Sequence, residues 1–202
     1  MMKTTGTHLR RRASQMAPDE RRLQLLDVAI QVFSARGIDG ARHGDVASAA
    51  GVSVPTVHSY FKTRDDLVSA VLDAVGKYIL DETIRPFMSG STFDERMAAS
   101  GEHLINTVPV KSDYFKIWVM WSAHFSDPFR DQYLRFEEKA IDGLCQVLTG
   151  EPESDGDPRT RERALMFLGL ALFLTQLILR GESVERQKQY VENVIQTVHI
   201  WI

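Results

Sequence analysis

Apolar residues along this chain recur every three or four positions, and no stretch alternates in the two-residue rhythm of a strand. The pattern predicts an all-α protein of about nine helices. A first helix follows Pro18, with Leu23, Leu26, Ile30 and Phe33 on one stripe and Gly37 just past its end. Two short helices fit between Gly44 and Phe61. A longer one starts after Thr63, where Thr63 and Asp66 have the spacing of a capping box, and buries Leu67, Val71 and Val75 before ending near Pro86 to Gly90. Further helices are predicted over Phe93 to Val108, Asp113 to Phe125 and Asp127 to Leu148. Gly, Pro and acidic residues make Thr149 to Thr160 a loop. Two last helices cover Arg161 to Arg180 and Val184 to Ile200, with Gly181 between them. The helices divide into an N-terminal three-helix unit and a larger C-terminal helical unit. The expected limits are 1–18 for a leading arm, 19–64 for the front unit and 65–202 for the rear.

Within the front unit, "DVASAAGVSVPTVHSYFKTRDDL" (Asp45 to Leu67) is the most constrained stretch. Ala47 is small enough for a second helix to cross at close range. Gly51 allows the chain to reverse with positive φ. Ser53 is placed to cap the next helix, and Pro55 falls in its first turn, where a missing N–H costs nothing. Val57 and Phe61, four apart, turn inward. The spacing Ala-x-x-x-Gly-x-x-x-x-x-Val is that of a helix-turn-helix. With Val57 and Phe61 inside, Ser53, Pro55, Thr56, His58, Ser59, Tyr60 and Lys62 are left facing out, as short polar, aromatic and basic groups suited to a major groove.

Charge sharpens this division. From Met1 to Lys62 there are nine Lys and Arg against five Asp and Glu; beyond Lys62 there are fifteen against twenty-two. A basic front on an acidic body suggests different partners for the two parts. The single cysteine, Cys145, excludes an internal disulfide and any multi-cysteine zinc site, and its helical setting predicts a small buried side chain. The first residues lack the apolar core of a secretory signal, which points to the cytoplasm. The most apolar run, Ala164 to Arg180, is short for a membrane span and contains Thr175 and Gln176, so a helix buried among helices is expected and no membrane partner. The six histidines are scattered, without a metal-binding pair. No nucleophile elbow, phosphate loop or zinc-protease motif occurs, so neither catalysis nor a cofactor or metal is expected.

"DVASAAGVSVPTVHSYFKTRDDLVSAVL" resembles the DNA-binding segment of the TetR family of bacterial transcriptional regulators, at Val46, Ala47, Ala50, Gly51, Val52, Ser53, Thr56, Tyr60, Phe61 and Leu67. "RRLQLLDVAIQVFSARGI" fits the helix that precedes it. "RHGDVA", "VSVPTVHSYFKTRDDLV" and "KIWVMWSA" are similar to the LuxR/HapR branch, the quorum-sensing master regulators. The family resemblance implies a homodimer with paired recognition helices and a rear domain that carries the dimer contact and often a ligand pocket. The branch resemblance implies activation as well as repression, and a basic arm reaching the minor groove. His58 departs from both, since the family commonly has Tyr there and the branch Phe, so the operator is not carried over.

The expected partner is double-stranded DNA, contacted in three ways. Arg10, Arg11 and Arg12 suit a narrow A·T-rich minor groove, unless they form only a solvated tail. Arg42, His43, Tyr60 and Lys62 sit at helix ends near phosphates. Ser53, Thr56, His58 and Ser59 are the expected base readers. In the rear, apolar stripes on the last two helices, including Phe173, Leu177, Val191, Val194 and Val198, suit a dimer interface between symmetry mates or ordinary packing within the chain. The aromatic helix around Trp118, Trp121 and Phe125, with Asn106, His124, Phe173 and Gln176 nearby, lines either an apolar cavity for a small-molecule effector or a dense core. The competing function is a helical protein-interaction bundle without DNA binding.

Overall fold

The computed structural model describes residues 17–84, 92–151 and 157–199. The described residues are mostly helical and contain no strand. The order is α1 (Pro18–Arg36), α2 (His43–Ala50), α3 (Val54–Tyr60), α4 (Arg64–Tyr78), α5 (Phe93–Val110), α6 (Ser112–Ser122), α7 (Phe129–Thr149), α8 (Pro158–Leu179) and α9 (Val184–His199). A π-helical segment, Ile79–Ile84, continues α4.

Four helix starts have a clear local cause. Pro18 opens α1. At α4, Thr63 Oγ1 accepts from the Asp66 N–H at 3.0 Å while Asp66 Oδ2 accepts from the Thr63 N–H at 3.0 Å, the reciprocal box read from the sequence. Thr92 and Glu95 repeat that arrangement at α5. Asp157 caps α8 by accepting from the Thr160 N–H at 2.9 Å, and that bond holds its carboxyl below the ordinary value.

The core runs without a break from Leu25 to Ile178. α1 packs on α2, α4 and α6; α8 lies between α5, α7 and α9. The expected boundary after residue 64 therefore falls at the start of α4, a helix both parts share. In α1, Leu25, Leu26, Ala29, Ile30 and Phe33 are buried, whereas Leu23 is 59% exposed. At 100° per residue the buried arc centres on Ala29 and Phe33, and Leu23 falls at its margin near the helix start. Trp118 and Trp121 fill the middle of the rear unit, and the Trp121 Nε1–H donates to the Phe129 carbonyl at 3.0 Å. Cys145 is fully buried. Gly101 permits the closest approach of α5 and α9: a Cβ there would lie 2.6 Å from Val191 Cγ1.

Candidate nucleic-acid interface

The turn between α2 and α3 follows the sequence residue by residue. Ala47 is 2% exposed in the crossing. Gly51 adopts φ 66°, and the Val52 N–H donates to the Ala47 carbonyl (3.0 Å) while the Gly51 N–H donates to that of Ser48 (3.3 Å), closing α2 with a left-handed cap. Ser53 Oγ accepts from the Thr56 N–H at 3.3 Å and shares a 2.8 Å hydrogen bond with Thr56 Oγ1. Val57 and Phe61 are buried at 0% and 1% exposure, so the inner face of α3 anchors it to the body.

Its outer face carries Pro55, His58 and Ser59, with Lys62 just beyond the helix, all exposed. Thr56 and Tyr60 are half-buried flanks. Ser59 Oγ donates to the Thr56 carbonyl at 2.7 Å, leaving the oxygen free to accept. Arg42 is exposed at the start of α2, where its guanidinium donates to the Asp39 and Ala41 carbonyls and its N–H donates to Asp45 Oδ2 at 2.9 Å. Pro55, His58, Ser59 and Lys62 thus share the outward face of α3, Thr56 and Tyr60 flank it, and Ser53 and Arg42 are exposed just before α3 and α2. Arg10, Arg11 and Arg12 lie outside the described residues.

His43 is not the exposed phosphate contact expected from its place at a helix start. It is 7% exposed, its Nε2–H donates to the Phe61 carbonyl at 2.8 Å, and its ring stacks flat against His58. The reason is that the end of α3 folds back over the start of α2 and covers it.

Arg64 is a residue that the sequence pattern did not mark. Its guanidinium donates to the Ala41 carbonyl (Nε, 3.2 Å) and to that of Ile38, fixing the loop before α2 from the start of α4. These partners lie 23 and 26 residues away, beyond any local pattern. Arg36 adds an ion pair to Asp45 at 2.9 Å, between α1 and α2.

The rear cavity, of about 90 Å³, has walls that include Ile79, Met97, Leu104, Trp118, Phe167 and Val191. Of the seven residues expected to line it, Trp118 alone does. Asn106 and Phe125 are exposed, the latter 77%. Trp121 is core. His124 pairs with Asp39 at 3.3 Å, Phe173 is 44% exposed, and Gln176 accepts from Arg180. The correction is rotational: α6 turns Trp118 toward α5 and α8 but ends at Ser122, so His124 leaves the helix toward Asp39 and Phe125 lies in the open beside Arg130. Polar atoms on the wall are otherwise engaged; Thr83 donates to Ile79, Ser100 to Arg96 and Tyr190 to Leu170. Burial pushes the Tyr190 phenol above its ordinary pKa, keeping it a donor. The buried Trp118 Nε1–H has no acceptor among the described residues.

The dimer residues divide similarly. Phe173 faces out, but Leu177 is buried at 4%, Val191 packs on Gly101, and Val194 is half-buried beside the cavity; the Val198 side chain is outside the description. Leu165 and Met166, outside the expected stripe, are 43% and 50% exposed on α8. No group of three or more His, Cys, Asp or Glu among the described residues is placed to hold a metal ion.

Comparison with known proteins agrees with this geometry. The profile for bacterial regulatory proteins of the tetR family matches residues 25–71, from α1 into α4. The HTH-type transcriptional regulator LuxR of Vibrio harveyi is 34% identical over 118 residues, 58% of this chain and 58% of its own length, so the match spans under two thirds of that relative. The HTH-type transcriptional regulator PksA of Bacillus subtilis (strain 168) is 30% identical over 143 residues, 70% of this chain and 68% of that protein. A crystal structure of a TetR-family regulator from Rhodococcus sp. superposes with a TM-score of 0.70 over 89% of this chain and 98% of its own, at 23% identity, and shares the fold. With its helix-turn-helix presented as that fold requires, the chain belongs to the TetR family and is a DNA-binding transcriptional regulator.

Proposed function

We propose that this regulator acts as a homodimer that reads a pseudo-palindromic operator through paired α3 helices in successive major grooves. The observation that carries the reading is the split of α3, with Val57 and Phe61 sealed inside and Pro55, His58, Ser59 and Lys62 presented outward. One seven-residue helix covers too few base pairs for a useful site. Two copies spaced by about one helical turn, roughly 34–36 Å, supply the rest. Arg10, Arg11 and Arg12 would add contacts in the minor groove, and the protein would work in the cytoplasm, where its operator lies.

Support for the dimer comes from α8, a 22-residue apolar helix that leaves Leu165, Met166 and Phe173 open to water on the molecular surface. Burying that face against a second copy, together with the outer face of α9, removes the exposed apolar area. A dimer seated on promoter DNA excludes other proteins from it, which makes repression the simplest output. Activation is the second mode that the branch resemblance implies.

The cavity suits a small apolar effector. Its volume is below the ~150 Å³ of a cavity that accepts benzene, so the ligand that fits this state has few heavy atoms.

The test combines genomic footprinting with sedimentation. Wild type should protect a symmetric site, and Phe173→Glu should sediment as a monomer and lose the site at concentrations that saturate wild type. An unsymmetric site, or a Phe173→Glu dimer with full binding, would refute the proposal.

A further inference from the structure

Among the outward groups of α3, His58 is held in an unusual way. Its ring lies on that of His43 with centroids 3.9 Å apart and planes 8° from parallel. His43 cannot turn, because it is buried and its Nε2–H donates to the carbonyl of Phe61, one residue past the end of α3. A buried ring on α2 thus serves as the floor for an exposed ring on α3. An exposed side chain usually loses rotamer freedom when it binds a ligand; here that freedom has been removed by folding.

The stack also sets the chemistry of the outer edge. His58 Nδ1 lies 3.4 Å from the Lys62 carbonyl. A carbonyl oxygen only accepts, so the tautomer that makes this contact carries its proton on Nδ1 and leaves Nε2 of the neutral ring with a lone pair. Among the described residues Nε2 has no partner. In that tautomer the stacked ring presents an acceptor in a set direction, where a freely rotating histidine would present either role in many. On the base edges of the major groove only two groups donate to an acceptor: the adenine N6 amine and the cytosine N4 amine.

We propose that His58 is a specificity-determining residue that reads an exocyclic amino group of adenine or cytosine in each half-site, and that His43 is its positioning residue. The proposal rests on α3 entering the major groove, the reading given above.

The test uses the full chain at pH 8. Operators are selected from a randomised duplex pool, and each adenine or cytosine of the selected half-site is then replaced by the analogue lacking the amine, purine or 2-pyrimidinone. Wild type should lose roughly three- to tenfold in affinity at one such position per half-site, the size of a single net hydrogen bond. His58→Ala should show no loss there. His43→Phe, which keeps a ring to stack on, should retain the loss. His43→Leu, which fills the space without a stack, should blunt it while still binding random-sequence DNA with the wild-type salt dependence. A merely structural His43 would weaken all operators alike and leave the base preference unchanged. No amine-sensitive position in wild type, or the same sensitivity in His58→Ala, overturns the assignment of His58. Unchanged preference in folded His43→Leu, or its loss in His43→Phe, overturns the positioning role. A wild-type chain that selects no sequence at all would sink the groove reading of α3 and this proposal with it.

Discussion

Two places in this molecule bring helices unusually close, and they do so by opposite means. Between α2 and α3 the approach is local. Ala47 supplies a small surface, and Gly51, four residues later, reverses the chain in the left-handed region. Between α5 and α9 the approach joins residues ninety positions apart, where Gly101 makes room for Val191. The first arrangement is written into the backbone and needs no partner. The second is a fit between two surfaces, and either surface can be changed to restore it. The difference shows why α3 can stand out from the body with little support, whereas the rear unit depends on packing from many directions.

The strongest challenge to this contrast is the rear core itself. Trp121 packs against Tyr133 and Phe136, with ring centroids 5.4 and 5.3 Å away, and borders Gly76 of α4. Trp121→Ala should cost about 3–5 kcal/mol in chemical denaturation, since a void of that size collapses only in part. A cost below about 1 kcal/mol would mean that the rear tolerates voids and that dense packing does not hold it together.

Gly101→Ala comes next. Its new Cβ must displace Val191, at an expected cost of about 1–3 kcal/mol, and adding Val191→Ala should recover most of that in a double-mutant cycle. Strict additivity of the two changes would break the account of α5 and α9 as complementary surfaces. Gly51→Ala should cost slightly less, roughly 1–2 kcal/mol. Nothing lies within 4 Å of a Cβ at Gly51, so the cost is conformational and trimming a neighbour should bring no relief. A second-site suppressor at Ala47 or Val52 would count against a purely backbone origin.

The smallest effect concerns Asp157. The Thr160 N–H lowers the pKa of its carboxyl from the reference 3.8. A carboxyl whose folded value is depressed stabilises the fold above the unfolded value, and the benefit is lost as pH falls through the folded one. The gap in melting temperature between wild type and Asp157→Ala should therefore hold from pH 7 to about pH 5 and narrow below about pH 4. A gap independent of pH across that range would show that the carboxylate charge is irrelevant to the cap.

How much of this was legible beforehand follows the same division. The Thr63–Asp66 box, the Gly51 reversal and the inward Val57–Phe61 pair depend on neighbours within a few residues, and each was readable in the sequence. His43 shows where local reading ends. Its position suggested a phosphate contact, and only the return of α3 over α2 shows that it is covered. The cavity was harder still. The aromatic helix was visible, but which rings face α5, α8 or the solvent depends on where α6 stops, and it stops before His124 and Phe125. Leu177 and Phe173 are likewise four apart on one apparent stripe. Their different fates, 4% against 44% exposed, depend on how the neighbouring helices pack, which no spacing within α8 could report.

The placement of Trp118 gives the chain a built-in optical gauge. Of the three tryptophans, one forms part of the cavity wall and another, Trp121, sits in fixed aromatic surroundings, its indole hydrogen engaged. A small molecule settling against the first indole would change the protein's total tryptophan emission, so the proposed occupancy can be followed by ultraviolet fluorescence without attaching a dye.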